Sequence, residues 1–523
     1  AWDKGTHLVD VNGDGKLDIL YAGDAVSEPA RLFLNAGGRT FTEIIGNTAA
    51  ADAYPFIKKI GLAYSFADLD GDGHVDLIVA GVEVFRRNAA GAFEQDSSSE
   101  IASNIIGAWD FAWGDVDGDG FLDLWVARDS KPAVLFRNNG DANFSVVVET
   151  PLSVPGRYGG TVHFVDIDND GDADAFHAGK DSAGATISFW RSDTSKFHNI
   201  GARLPSTPAR CYQPYPGATQ GGTPGGTLLK QECYSAGVED TYAGSFGDFD
   251  GDGHLDLYIG NAIGDYDLGT TFHGARDQLL RNNGDGTWAS VYETAMVRKK
   301  VPCATKANEY DGCASGDRMT KAVSWGDYDS DGDLDLLIGS GTVYTDGTGN
   351  PAYLNNELWR NNGDGTFTEV LETSITNELQ GNAGVRGTAV QVGWADVDND
   401  GDLDAFLIVG EYVYGNGGFS APTVVPKPEL HINNGGDSFT KSTAFDGVAH
   451  ARAFAFGDLD NDGKVDLLLG GSSMLEIHMG NGDGTFTAAT RASKGLNSDP
   501  AGGVLNTYEI RWIALGDYSG DGY

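Results

Sequence analysis

Eight times along the chain an aspartate is followed, at the third, fifth and ninth positions, by further acidic or amide residues, with glycine sixth, and a ninth, partial copy has Ser519 at its third position and Gly522 at its sixth. The pattern reads Asp-x-Asp-x-Asp-Gly-x-x-Asp. Its first positions in eight complete copies are Asp10, Asp68, Asp115, Asp166, Asp248, Asp327, Asp396 and Asp458, and a ninth copy starts at Asp517. Third positions carry Asn12, Asp70, Asp117, Asp168, Asp250, Asp329, Asp398 and Asp460; fifth positions carry Asp14, Asp72, Asp119, Asp170, Asp252, Asp331, Asp400 and Asp462. Ninth positions carry Asp18, Asp76, Asp123, Asp174, Asp256, Asp335, Asp404 and Asp466. Carboxylates gathered in one short loop repel, each pair by about 4 kcal/mol at ~4 Å and an effective dielectric near ~20. Eight such loops would strain a fold whose whole margin is about 5 to 15 kcal/mol. The implied chemistry is the binding of a hard divalent cation. Calcium suits an all-oxygen, flexible, multi-carboxylate site better than magnesium, which keeps its waters and demands tighter octahedral geometry.

The other loop positions agree. Glycine at position six supplies the sharp turn that calcium loops require there. Position seven varies freely among Lys16, His74, Phe121, Asp172, His254, Asp333, Asp402 and Lys464, as expected where only the backbone carbonyl is a ligand. Positions two and eight are mostly apolar, as in Val116 and Leu122 or Phe249 and Leu255, and anchor both ends of the loop in a strand layer. Positions one, three, five and nine of the eight complete loops hold 31 of the 76 acidic residues and so explain much of the net charge of −41. With no helix-loop-helix flanks and no Glu at position twelve, they are read as structural clamps rather than sensor sites.

A second motif alternates with the first: an apolar pair, an Asn- or Gly-rich turn, then an aromatic residue, as in LFRNNGDANF, LWRNNGDGTF and IHMGNGDGTF. Repeat four carries a decayed form, FWRSDTSKF. Each repeat thus holds four short apolar stretches separated by turns, and none shows a sustained helical period. In repeat six the strands are expected at AVSWGDY, LDLLIG, ELWRN and TFTEV, with the Asp loop between the first two. Asn-Gly pairs such as Asn283-Gly284 and Asn362-Gly363 suit a hairpin between the third and fourth strands. Four antiparallel strands repeated radially describe an all-β fold, a β-propeller of about 4 to 8 blades. Eight repeats are counted, for a seven- or eight-bladed ring formed by residues 1–516, with 517–523 the start of a ninth repeat. Because the chain opens directly before a complete first repeat, the last segment is not expected to complete blade one. Either a second module follows or the ring takes fewer repeats.

The motif FGDFDGDGHLDLYIG at Phe246 to Gly260 and its partner RNNGDGTF at Arg360 to Phe367 resemble the FG-GAP or VCBS repeat proteins, which include integrin α-chain-like and cartilage acidic protein-like propellers. The resemblance extends over essentially the whole chain. It implies one calcium ion per repeat, up to eight, on one rim of the propeller between the first and second strands of each blade. It also implies a role in adhesion, glycan binding or surface assembly.

Charge and composition narrow the function further. A net charge of −41 repels phosphate backbones and anionic membrane surfaces, so nucleic acid is excluded as a partner. Glycine, at 75 residues, is about twice as frequent as usual and signals many tight turns. There is no apolar run near the ~18 residues that span a bilayer. Long insertions fall at 202–245 and 297–319, and others follow the second strand in repeats five, six and seven, at 261–276, 341–356 and 412–428. All leave the rim opposite the Asp loops. Cys211 with Cys233 and Cys303 with Cys313 would each close an insertion on itself. Disulfides and calcium loops suit an extracellular or cell-surface setting. Asn143-Phe144-Ser145 is a glycosylation sequon.

Exposed aromatics in the insertions, among them Tyr212, Tyr215, Tyr266, Tyr344, Tyr412, Tyr414 and Phe419, offer stacking surfaces for sugars or a neighbouring subunit. Common catalytic signatures are absent. The expected function is a non-catalytic, calcium-stabilised scaffold for adhesion, surface structure or filament and oligomer assembly, with a protein or glycan ligand on the insertion face. The alternatives are a glycan-binding lectin and a calcium-dependent polysaccharide lyase of the eight-bladed type. For the lyase, Arg298, Lys299 and His273 are the candidate bases, without a supporting spacing.

Overall fold

The second stretch of each repeat is a run of apolar residues opened by the ninth-position aspartate. Runs without alternation mark strands covered on both faces, and in the computed structural model Asp18–Tyr21, Asp76–Val79, Asp335–Ser340, Asp404–Val409 and Asp466–Gly471 are buried throughout. The fourth strands are half exposed, as in Phe93–Asp96, where only the leading aromatic is buried.

In the first half of the chain the structure describes residues 5–21, 30–37, 40–44, 52–58, 64–79, 83–88, 91–96, 101, 108–128, 133–140, 143–147, 152, 157–170, 173–181, 184–192 and 197–199. In the second it describes 210–212, 232–234, 240–263, 266–267, 271–272, 275–285, 287–291, 317–318, 320–340, 342–345, 351–353, 355–376, 389–410, 414–415, 418–419, 425–471, 474–488 and 512–515.

Eight sheets follow one another, each built of four antiparallel strands in a simple meander. The innermost strands in sequence are Gly5–Val9, Tyr64–Ala67, Ala108–Gly114, Arg157–Val165, Asp240–Gly247, Thr320–Gly326, Ala389–Ala395 and Ala451–Gly457. The third strands are Arg31–Asn35, Glu83–Arg87, Val134–Asn138, Gly184–Arg191, Gln278–Asn282, Glu357–Asn361, Lys427–Asn433 and Met474–Gly480. Blade six matches the expected strands to within two residues at each boundary, with the third strand at Glu357–Asn361 and the fourth at Phe367–Val370. A short 3-10 turn, Pro55–Lys58, lies between the first two blades.

Apolar side chains between the sheets form eight core clusters, one for each pair of neighbouring blades. One of them joins Leu8, Ile19 and Phe33 of blade one to Ala453, Leu468 and Ile477 of blade eight, so the sheets are linked in a cycle. Glycine at the end of a first strand makes this stacking possible. A Cβ on Gly247 would stand 2.8 Å from the Trp325 ring of the next blade, and one on Gly326 2.6 Å from that of Trp394.

The end of the chain departs from expectation. Trp512–Leu515, just before the ninth Asp motif, adds to blade one as a fifth strand, parallel to Gly5–Val9 with Thr6 opposite Ile513. Blade one is complete without it, as its own four strands require; among the described residues, no such strand is added to the first strand of the other seven blades. The insertions contain two-stranded sheets of their own. Tyr266–Asp267 pairs with Thr271–Phe272, Thr342–Thr345 with Pro351–Tyr353, and Tyr414–Gly415 with Gly418–Phe419. Ala275–Arg276 pairs with Asp317–Arg318 and thereby ties two insertions together.

Candidate metal centres

Each Asp loop joins the first and second strands of a blade, and its carboxylates divide the work. The first-position side chain winds the loop: Asp10 Oδ1 accepts the amides of Gly13 and Asp14 at 2.7 and 3.1 Å, and Oδ2 that of Gly15 at 2.7 Å. The bond to the sixth-position glycine recurs at 2.7–3.1 Å in blades two, three, five, six, seven and eight. In each loop whose turn is fully described, two residues take positive φ. Besides the sixth-position glycine, these are the fourth-position residues Gly13, Gly71, Gly118, Gly251, Ser330, Asn399 and Asn461, and Asn169 does the same in blade four. Sequence reasoning missed position four, although its restriction to Gly, Asn and Ser was visible.

The ninth-position carboxylate is a buried pin. In all eight blades one oxygen accepts the amide of the second loop residue at 2.8–3.1 Å. The other accepts the amide at the end of the third strand, or just beyond it in blade four, at 2.6–2.8 Å. Burial is the main cause that raises these carboxyls, to about 8 for Asp18, about 7 for Asp76, Asp123, Asp256, Asp335 and Asp404, and about 6 for Asp466. Neighbouring loop carboxylates push the same way, and the two backbone donors oppose it.

Positions one, three and nine converge. In Asp68/Asp70/Asp76, Asp115/Asp117/Asp123, Asp166/Asp168/Asp174, Asp248/Asp250/Asp256 and Asp327/Asp329/Asp335, one carboxylate oxygen from each residue lies within 4.8 Å of the others, and the described residues hold two further clusters of metal-binding type. At the third position, Oδ1 of Asp329 and of Asp398 is buried without a hydrogen-bond donor. Burial first, then the adjacent loop aspartates, raises both carboxyls. An orphaned buried oxygen facing two more carboxylates fits a hard cation.

Position five stands apart from the five named clusters: its Oδ1 accepts the seventh-position amide at 2.9–3.1 Å in seven loops. The seventh side chain turns to the hairpin between the third and fourth strands, which explains its variety. A Cβ on Gly37 would meet Lys16 at 3.4 Å, and one on Gly140 would meet Phe121 at the same distance. Asp172 and the ninth motif lie outside the described residues.

The hairpins hold the residues that sequence reasoning undervalued. The turn is one residue longer than an Asn-Gly pair alone would make: Asn283 donates its amide to Thr287 O and Asn362 to Thr366 O, while Gly284 and Gly363 take the positive φ. In blades three, five, six and seven the residue before the pair is a buried asparagine that staples two blades. Asn138 Nδ2 donates to Leu69 O, Asn282 to Ile167 O, Asn361 to Phe249 O and Asn433 to Tyr328 O, at 2.6–2.9 Å. Asn35 reaches Leu459 O and joins blade one to blade eight. The remaining junctions use Arg87 to Asn12 O, Ser192 to Val116 O, and the amide of Gly484 to Val397 O. All eight junctions therefore carry a hydrogen bond at the Asp-loop rim.

Comparison with known proteins identifies the repeat. A family model described as the FG-GAP-like repeat matches residues 10–79, 68–126, 115–177, 327–407 and 458–523, each match running from one Asp loop into the next. No match was found among curated protein sequences. Similar solved structures include an Agrocybe aegerita lectin that recognises non-reducing terminal N-acetylglucosamine, at 18% identity and a TM-score of 0.41 over 78% of this chain and 88% of that one. Another is YCF48 bound to a D1 peptide, at 8% identity and a TM-score of 0.34 over 78% of this chain and 87% of that one. With its Asp loops repeated blade after blade and the family model matching more than half of its length, the chain belongs to the FG-GAP-like repeat family.

Proposed function

We propose that the protein is a non-catalytic, calcium-stabilised propeller that works outside the cell, presenting its insertion face for adhesion or for assembly into surface structures. The observation that carries this reading is the convergence of three carboxylate oxygens within 4.8 Å, with a third-position oxygen that has no donor in loops such as that of Asp329. First-, third- and ninth-position side chains would hold the ion, and its charge would cancel their mutual repulsion. The extracellular setting is supported by Cys211 and Cys233, which stand opposite each other in register between Arg210–Tyr212 and Glu232–Tyr234, as a local disulfide requires. Cys303 and Cys313, like the basic candidates Arg298, Lys299 and His273, lie outside the described residues. Asn143 is exposed in the blade-three hairpin, where a glycan would project into solvent.

A glycan is the second class of ligand. Two insertion hairpins set aromatic residues opposite each other, Tyr266 with Phe272 and Tyr414 with Phe419. Paired aromatics of this kind are suited to stacking on sugar rings or on a partner surface.

The test is particle size by light scattering and electron microscopy, with bound calcium measured on the same samples. The expected result is calcium-loaded protein that forms regular oligomers or fibres, which fall apart on chelation as the melting temperature drops by more than about 10 °C. Protein that takes up no calcium overturns the metal reading. A calcium-loaded monomer overturns self-assembly and directs screening to glycans, where unsaturated cleavage products would identify a lyase.

A further inference from the structure

The residue just before each inter-blade staple differs among blades in a way that bears on the metal loops. It is arginine in blades two to six (Arg86, Arg137, Arg191, Arg281 and Arg360), but Leu34 in blade one and Ile432 in blade seven; in blade eight, where the third strand ends on Gly480, the matching residue is Met479. In blade three the Arg137 guanidinium lies on Asp117 Oδ2 and within 3.8 Å of Asp119, and Asp117 is only 5% exposed. Arg86 and Arg281 stand 3.8 Å from the corresponding Asp70 and Asp250. Arg86 is also held by Asp96 of its own blade at 2.9 Å, and Arg360 by Asp437 of the next blade at 3.0 Å. In blade seven the same place is apolar: a Cβ on Gly484 would lie 3.1 Å from Ile432 and 3.7 Å from Asp398, so both residues border that one point.

We propose that Arg137 is a built-in counter-ion of the third loop, so that this loop binds calcium more weakly than the seventh, where Ile432 leaves the carboxylates to the metal. The proposal rests on the calcium reading given above. A fixed positive charge on a loop carboxylate both repels an arriving cation and must be displaced from its ligand, and the two effects add. The loops then form a graded set, in which the seventh fills before the third.

Calcium titration of the full chain by isothermal calorimetry tests this, with folding checked by circular dichroism. The unaltered protein is expected to show at least two classes of site. Arg137→Met should move one site from the weak to the tight class, a gain of about tenfold in affinity, and Ile432→Arg should move one site the other way. Arg281→Met provides a second gain-of-affinity variant should Ile432→Arg fail to fold. Isotherms of Arg137→Met and Arg281→Met that superimpose on that of the parent would overturn the proposal. Absence of calcium uptake in every variant would overturn the calcium reading itself.

Discussion

The two rims of the propeller follow opposite rules. On one, eight Asp loops repeat a single arrangement closely: the same double clamp on the ninth-position carboxylate and a hydrogen-bonded staple at every junction. On the other, the connections differ from blade to blade, and several carry two-stranded sheets that tie only to themselves or to one another. Repetition marks the rim that holds the ring together, and variation marks the rim free to acquire a ligand. The physical cause is burial. Loop carboxylates on the first rim terminate backbone donors inside the blade, whereas an insertion hairpin can change without leaving a core amide unpaired.

The sharpest way to break this contrast is to remove a pin. Asp335→Ala leaves the amides of Tyr328 and Asn361 buried without an acceptor, and denaturant unfolding should show a loss of about 3 to 5 kcal/mol even with calcium present. Asp335→Asn keeps one acceptor oxygen and should lose about half as much. A loss as small as that of an ordinary surface change would mean that the clamp does not carry the rim. Next comes the staple: Asn433→Ala removes donors to Tyr328 O at 2.7 Å and Leu403 O at 3.2 Å, at an expected cost of about 1 to 3 kcal/mol. The smallest effect on stability belongs to the other rim. Replacing Tyr414 and Phe419 by alanine should change unfolding by less than about 0.5 kcal/mol while weakening assembly or glycan retention. A large loss of stability there would show the hairpin to be part of the frame.

Much of the rim was legible because it is repeated. Eight copies let each loop position be judged by what it tolerates, and glycine at position six and apolar residues at position two were read correctly on that basis. Position seven was also free to vary, as expected, but its side chain covers the hairpin glycine, a contact between segments about twenty residues apart in blades one and three. The asparagine ahead of the Asn-Gly pair in blades three, five, six and seven was read as turn chemistry, because its partner is a carbonyl in another blade, more than a hundred residues away for Asn282, Asn361 and Asn433. Local pattern carries no information about such a partner.

By itself, the sequence determined the strand content, the repeat count and the acidic loops, since each depends on periodicity and residue type within one blade. Tertiary structure decided three further things. It separated the carboxylates that converge from those that brace the backbone, it joined blade one to blade eight through Asn35 and a shared apolar cluster, and it set Trp512–Leu515 beside Gly5–Val9. Each depends on distances between segments far apart in the chain, which burial and hydrogen-bond satisfaction determine only once the blades are stacked.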